Sequence, residues 1–508
     1  MPKVQYTLTE VTELAKTYRV VPVIETLFST TETPLSIFEK LAADKTGSFL
    51  LESAEQGVWA RYSFVGVNNR GTLLQSDGSK VQWHSDEGLS PLPAQSEQLA
   101  ETVLEAVDQI QQAWTAEALP GVPPLTSGLV GLLAWDVIRE IEKLGPAPAK
   151  DFASPTLAMS MFQDLVIMDH HTSSILLVSN IFVEHGVDLT AAYEGALIRI
   201  DQMRADLFKP SQVLLADVDL TTQAQTKSRD TREQFLATVE ASKHFVRIGD
   251  VFQVVLSQRF DHELSATPLD VYRVLRALNP SPYMYLLNFK DEHGEYSVVG
   301  SSPEALVTVT GKHAVMHPIA GSRPRGATPE QDVELADSLL ADNKEKAEHL
   351  MLVDLARNDL SKVCEPSSVS VTEFMKIHRF SHIMHLVSTV EGNIRDGQTP
   401  VDVFRATFPA GTLSGAPKPR ALEIIDELET SNRGIFGGVV GYFDFAGNAD
   451  VAIAIRTAFI RDGQAHVQAG AGIVLDSVPE SEHAETIAKA GAPMRAVVAA
   501  NHMNRREA

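Results

Sequence analysis

Apolar residues recur along this chain with a period of two in many short runs and with a helical period in fewer, longer ones. Between residues 35 and 75 a helix-like segment gives way to strand-like runs in GSFLLESAEQGVWARYSFVGV, and Val81 to Ser85 adds a short strand. GLVGLLAWDVIREIEKL predicts a Gly-rich strand passing into an amphipathic helix, and FQDLVIMDHHTSSILLVSNIFV predicts a hairpin turning at His170 to Ser174. A helix is expected from Thr231 to Gly249. VFQVVLSQRF, YMYLLNF, YSVVGSS, GGVVGYFDF, VAIAIRTAFI and AHVQAGAGIV then read as strands and AVMHPIAGS as a strand running into a turn, with helices clustered between and after them. Regular βαβ alternation is missing. The expectation is an α+β fold, with large, mostly antiparallel β-sheets packed as a sandwich and helices on the outer faces.

With 508 residues the chain exceeds one ordinary core. The polar stretch Lys209 to Asp230 is the candidate boundary, giving an amino-terminal α/β region (1–208) and a second domain (225–500). Acidic residues outnumber basic ones 66 to 43, a net charge of −23, which argues against unassisted binding to nucleic acid or an anionic membrane. The single cysteine, Cys364, rules out an intrachain disulfide framework or a multi-cysteine zinc site and suits a reducing compartment. No signal-peptide pattern and no apolar run of membrane-spanning length is present, so a cytoplasmic protein is expected.

Two acidic motifs bring in chemistry: Glu345 with Glu348 in KEKAEH, and Glu482 with Glu485 in ESEHAETIAK. In helices, i and i+3 spacing puts each pair on one face, and Lys489 joins the second. Alone, such a pair reads as a solvated helix face. Four carboxylates brought together repel unless a hard cation lies between them, and Mg²⁺ with an anionic substrate fits that need. Gly321 and Ser322 in PIAGSRPRG are expected in a turn able to hold a carboxylate, with Arg323 and Arg325 nearby or merely solvated. Gly470 and Gly472 allow close backbone approach at a strand end, or simply packing. Arg456 interrupts an apolar strand and is either internally paired or aimed into a site. FPAGTLSGAPK is a loop entering a helix near Pro419, but not a Walker A loop. His378, His382 and His385 lack the geometry of a zinc site, and His385 reads as a core residue or a catalyst. Glu304 ends a strand and would be a general acid if buried.

In this order, GDVFQVVLSQRF, NPSPYMY, VVGSSPE, PIAGSRPRG, KEKAEHLMLVDLARNDL, HIMHLVS, FPAGTLSGAPK, GGVVGYF, AIRTA and QAGAGIVLDSVPESEHAET resemble the chorismate-utilising enzymes, and among them the large subunits of anthranilate synthases. LLESAE and GLVGLLAWD extend the resemblance over nearly the whole chain. It implies that Glu348 and Glu485 hold Mg²⁺, with Glu345 and Glu482 supporting them through water. It also implies substrate contacts from Gly321, Ser322, Arg456, Gly470, Ala471, Gly472 and Lys489. Thr412, Gln253 and His385 would line the reacting centre, and Glu304 would help the ring hydroxyl leave.

The resemblance implies that ammonia adds to chorismate and pyruvate leaves, giving anthranilate for tryptophan synthesis. Relatives that add water carry lysine at the position of Gln253, and aminodeoxychorismate synthases carry lysine at that of Ala320, so both positions favour anthranilate formation. A sister aminating or isochorismate-forming enzyme and a non-catalytic tryptophan sensor are the alternatives. Two residues depart from the pattern: Ser322 replaces the usual threonine, and Phe436 a tyrosine whose hydroxyl would meet the substrate. Glu52, Ser53, Pro282, Tyr283 and Met284 match a tryptophan site for feedback inhibition. No second large domain is left over for a glutamine amidotransferase, so a partner subunit supplying ammonia, and hence a hetero-oligomer, is implied.

Overall fold

Two strands, Tyr62–Ser76 and Pro155–Asp169, are each fifteen residues long and serve two sheets at once. Their mutual pairing slips repeatedly between Gly66 and Gly71, and such bulges bend a strand. In the computed structural model, which describes residues 4–54, 61–76, 78–93, 98–119, 121–211, 215–222, 227–379 and 383–506, these bent strands join the two layers of a sandwich. Residues 164–169 pair with Ser174–Phe182, whereas 157–161 pair with Gly128–Leu133.

The first sheet runs from Gln253–Glu263 through Gln464–Ile473, Thr457–Arg461, Gly294–Ser302, Tyr283–Asp291 and Phe49–Glu52 to the bent strands, and on through Ser174–Phe182 to Val20–Phe28. The second continues from Gly128–Leu133 through Val439–Asp444, Ala449–Ile453, Ala305–Thr310 and His313–Met316 to Ile383–Asn393. That last strand carries both Ile319–Pro324 and Ser370–Arg379. Every one of these pairings is antiparallel, as the alternating apolar pattern predicts. Strands from the two expected sequence regions interleave in both sheets, with Leu50 opposite Leu286 and Gly131 opposite Gly441.

Phe49, Phe162, Tyr285, Tyr296 and Phe459 fill the space between the sheets together with Val130, Leu132 and Val440. Helices Leu189–Leu207, Pro268–Leu278 and Pro479–Asn501 cover one outer face, and Val103–Ala113, Asn343–Ser361, Pro400–Thr407 and Lys418–Leu428 cover the other. Local signals explain their ends. The helix Arg232–Ile248 begins at a Thr231–Gln234 capping box and stops at Gly249, whose φ of 85° is left-handed.

Three elements differ from expectation. The segment after Gly128–Leu133 forms only a 3₁₀ helix, Trp135–Glu140, because the polar, proline-containing stretch that follows offers no further apolar turn. VAIAIRTAFI is two strands, Ala449–Ile453 and Thr457–Arg461, one in each sheet. PIAGS is a strand with a bulge at Gly321 in place of a turn.

Beneath the sheet ends the buried side chains of Glu429 and Arg433 form an ion pair, joined at 2.7 and 2.8 Å. Glu429 also accepts the Ser257 amide and hydroxyl, while Arg433 donates to the Leu413 and Val255 carbonyls and stacks on Trp135. Glu429→Ala strands a buried guanidinium and is expected to destabilise the fold by about 3–5 kcal/mol, read from urea unfolding.

Candidate functional site

The corner where the chain crosses between the sheets sets the site. Arg456 occupies it with a left-handed φ of 51°, its carbonyl accepting the Ser301 amide at 3.2 Å. The guanidinium is half-buried and makes no hydrogen bond or ion pair with a described side chain, so the internal salt bridge is not formed. Burial holds its pKa down, opposed by the charge of Glu304.

Glu304 is pinned by its carbonyl, which accepts the Ile453 amide at 3.0 Å. Its carboxylate accepts the Thr412 hydroxyl at 3.1 Å. Burial pushes the carboxyl up to about 7, against the Thr412 bond and the charges of Lys489 and Arg456. Thr412 rides on the 3₁₀ turn Gly411–Leu413, whose last carbonyl Arg433 grips.

On the neighbouring strand His385 donates from Nδ1 to the Gly321 carbonyl at 2.9 Å, which leaves the lone pair on Nε2. Burial keeps the ring neutral by lowering its pKa, and the positive charge of Arg456 adds to this. Gly321 has φ of 71°, and a Cβ there would come within 3.0 Å of Glu345 Oε2 and 3.1 Å of Leu339. The bulge therefore lets the strand touch the acidic helix.

That helix, Asn343–Ser361, starts at Asp342, which caps the Lys344 and Glu345 amides, and buries the stripe His349, Leu352, Val353, Ala356 and Leu360. Glu345 and Glu348 lie on its first two turns. Although exposed by area, Glu348 has its carboxyl raised by desolvation within the cleft and by the charges of Glu345 and Glu485. Glu482, half-buried near the start of Pro479–Asn501, is raised by burial and by Glu485. Lys344 acts on both groups in the opposite sense. The two motifs thus face each other, while no group of three or more histidine, cysteine, aspartate or glutamate side chains among the described residues closes to metal-binding range.

Lys489 ties this second acidic face to the strand Gln464–Ile473. Its Nζ meets Glu485 at 2.7 Å and donates to the Gly470 carbonyl at 3.0 Å. A Cβ on Gly472 would lie 2.6 Å from the Gln253 Nε2, so that glycine admits the Gln253 side chain. Ala471 turns its methyl into the core and can offer the site only its backbone. Ser322 is exposed beside Gly321, and Phe436 is buried under Arg433 without a hydroxyl to offer.

The candidate tryptophan residues lie elsewhere. Glu52 opposes Met284 across the sheet, but its carboxylate already accepts two nitrogens of Arg276 and the Tyr272 hydroxyl. Among the described residues Ser53 Oγ is buried without a partner, Pro282 is half-buried, Tyr283 donates to Asp450 at 3.1 Å, and Met284 is core. His382 and Glu55 lie outside the described residues.

Sequence reasoning missed Asp342, Glu429 and Arg433, and it left Arg323 and Arg325 open between helping to hold an anion and being solvated. Arg325 instead binds Asp332 at 2.7 Å and Arg323 binds Asp342 at 2.9 Å. Only Asp342 had a visible signal, an aspartate directly ahead of a helix-forming run. A cleft of about 820 Å³ beside Asp136, Arg139 and Lys150 holds none of these groups, and its Arg139 is already bound to Asp426.

Residues 46–495 match the chorismate binding enzyme family. Anthranilate synthase component 1 of Arthrobacter globiformis is 48% identical over 98% of this chain and 94% of its own length. The component 1 protein of Mycolicibacterium smegmatis is 48% identical over 96% and 92%. The crystal structure of anthranilate synthase component I from Streptococcus pneumoniae superposes with a TM-score of 0.74 at 33% identity, covering 86% of this chain and 93% of that one.

The raised carboxyl of Glu304 has a stability signature. Its folded pKa of about 7 exceeds the ordinary value of 4.5, so the folded state binds the extra proton and loses stability as pH rises from 4.5 through 7. Glu304→Gln removes that loss. Its melting temperature relative to the parent chain should climb across this window and level off above it, whereas a constant offset would mean an ordinary carboxyl.

Proposed function

Because the chain belongs to the family of chorismate binding enzymes, we propose that this cluster is where chorismate and ammonia become anthranilate and pyruvate. The chain is an enzyme of the anthranilate synthase type, acting on chorismate at the first step of tryptophan synthesis. The observation that carries the site assignment is the half-buried Arg456 guanidinium, without a hydrogen-bonding carboxylate partner among the described residues, beside the protonatable Glu304 and the neutral His385.

Chorismate brings two carboxylates, and Arg456, Lys489 and the backbone at Gly321, Ser322, Gly470, Ala471 and Gly472 offer cationic and amide donors for them. Glu304, held by Thr412, gives its proton to the departing ring hydroxyl, which leaves as water while ammonia forms the new C–N bond. The neutral Nε2 of His385 then takes the ring proton as the enolpyruvyl C–O bond breaks, and protonation of the released enol gives pyruvate. Gln253 cannot activate water as a lysine could, which keeps ammonia the nucleophile.

The all-carboxylate donor set of Glu348 and Glu485, backed by Glu345 and Glu482, fits Mg²⁺. Burial raises Glu348 and Glu482, and the like charges that add to it are what a hard cation relieves. When bound, the ion supplies positive charge for the ring carboxylate. We assign ammonia supply to a glutamine amidotransferase partner in a hetero-oligomer, and feedback by tryptophan to Glu52, Ser53, Pro282, Tyr283 and Met284. A ligand ammonium there would have to share Glu52 with Arg276. No helix among the described residues is long and apolar enough to cross a membrane.

With chorismate, Mg²⁺ and an ammonium salt, the purified chain is expected to raise anthranilate fluorescence, and tryptophan should suppress it. Chorismate loss without fluorescence would redirect the reading to another product. Glu485→Gln should lower turnover at least about 100-fold, as removal of a major electrostatic contribution does, while leaving tryptophan binding intact.

A further inference from the structure

Arg323 is the residue that physically joins the two halves of the site. It follows Gly321 and Ser322 on the bulged strand Ile319–Pro324, yet its guanidinium reaches the helix that carries the first acidic motif. Nη2 donates to Asp342 Oδ2 at 2.9 Å. Nη1 donates to the Ser322 carbonyl at 2.8 Å and, more weakly, to Glu345 Oε1 at 3.5 Å. The other oxygen of Asp342 caps the helix by accepting the Lys344 amide at 2.9 Å and the Glu345 amide at 3.3 Å.

One carboxylate is therefore shared between a helix start and the substrate strand, and the same guanidinium fixes which way the Ser322 carbonyl points. On the strand side, Gly321 gives its carbonyl to His385 at 2.9 Å. On the helix side, a Cβ on Gly321 would sit 3.0 Å from Glu345 Oε2 and 3.3 Å from its Cβ, a tight contact that glycine avoids. A planar fork that bridges three oxygens from two elements fixes their separation in a way a single point charge does not.

We propose that Arg323 is a positioning residue that couples the carboxylate-binding bulge at Gly321–Ser322 to the cation-holding face of Glu345 and Glu348, so that occupancy of either half pre-organises the other. The coupling is reciprocal by linkage: whatever factor the cation adds to chorismate affinity, chorismate adds to cation affinity. Asp342 is the anchor through which the guanidinium acts. Arg323 touches no reacting atom. The proposal rests on the functional reading above.

The test uses the full chain as parent, Arg323→Ala and Arg323→Lys, with three measurements. These are KM for chorismate at saturating Mg²⁺, Mn²⁺ binding followed by electron paramagnetic resonance with and without chorismate, and melting temperature. In the parent, chorismate should tighten Mn²⁺ binding by about tenfold, within the usual span of coupling between sites. Arg323→Ala should abolish most of that enhancement and raise KM by a similar factor. Arg323→Lys, which keeps the charge but loses the fork, should recover part of both. A variant that merely melts earlier, with KM and the chorismate-dependent Mn²⁺ enhancement unchanged, overturns the proposal, as does a change in only one of the two affinities. A parent that binds neither Mn²⁺ nor chorismate fails the functional reading itself and takes this proposal down with it.

Discussion

Mutual repulsion between two pairs of carboxylates is the constraint around which this site is organised. Glu345 with Glu348 and Glu482 with Glu485 are carried by two helices, Asn343–Ser361 and Pro479–Asn501, from opposite outer faces of the sandwich. Burial raises Glu348 and Glu482, and like charge adds to it, from Glu345 and the opposing Glu485 on Glu348 and from Glu485 on Glu482. A chain stable with four such groups in one neighbourhood must answer them with positive charge. Lys344 and Lys489 do so from within the same two helices, and Arg323 does so from the adjoining strand.

The second requirement is to keep one cation out of those pairings. Arg456 meets it through backbone geometry: it sits at the corner between Ala449–Ile453 and Thr457–Arg461, where the chain leaves one sheet for the other. The break turns its side chain away from the regular alternation of either strand and toward Glu304 and His385. Burial then works in opposite directions on the two titratable groups. It raises a carboxyl so that it can hold a proton near neutrality, and it lowers an imidazole so that it can accept one. This split between acid and base, set by shared surroundings, is the electrostatic basis of the proposed reaction.

The fold class was legible because antiparallel strands keep a period-two pattern, and the hairpin at His170 to Ser174 and the helix ending at Gly249 fell where the sequence put them. The two acidic motifs were legible as helix faces, since i and i+3 spacing is local. Arg456 was visible as an anomaly, but its corner was not. An apolar run of ten residues gives no sign that it will be divided between two sheets, which depends on the twist and bulging of distant strands. For Arg323 the sequence left two readings open, because its partner Asp342 belongs to the next helix and is brought near only by tertiary packing. Glu429 and Arg433 left no trace at all. A glutamate and an arginine four apart near a helix end look like a surface pair until the sheet closes over them.

The claim on which the account stands is that the two acidic faces form one cation site. Its most direct test is the melting temperature of the chain with chorismate present and ammonia absent, followed as Mg²⁺ is raised. The account predicts a rise that follows the logarithm of free Mg²⁺ above its dissociation constant and that disappears in the Glu348→Gln, Glu485→Gln double variant. A melting temperature indifferent to Mg²⁺, or an equal rise in the double variant, would contradict it.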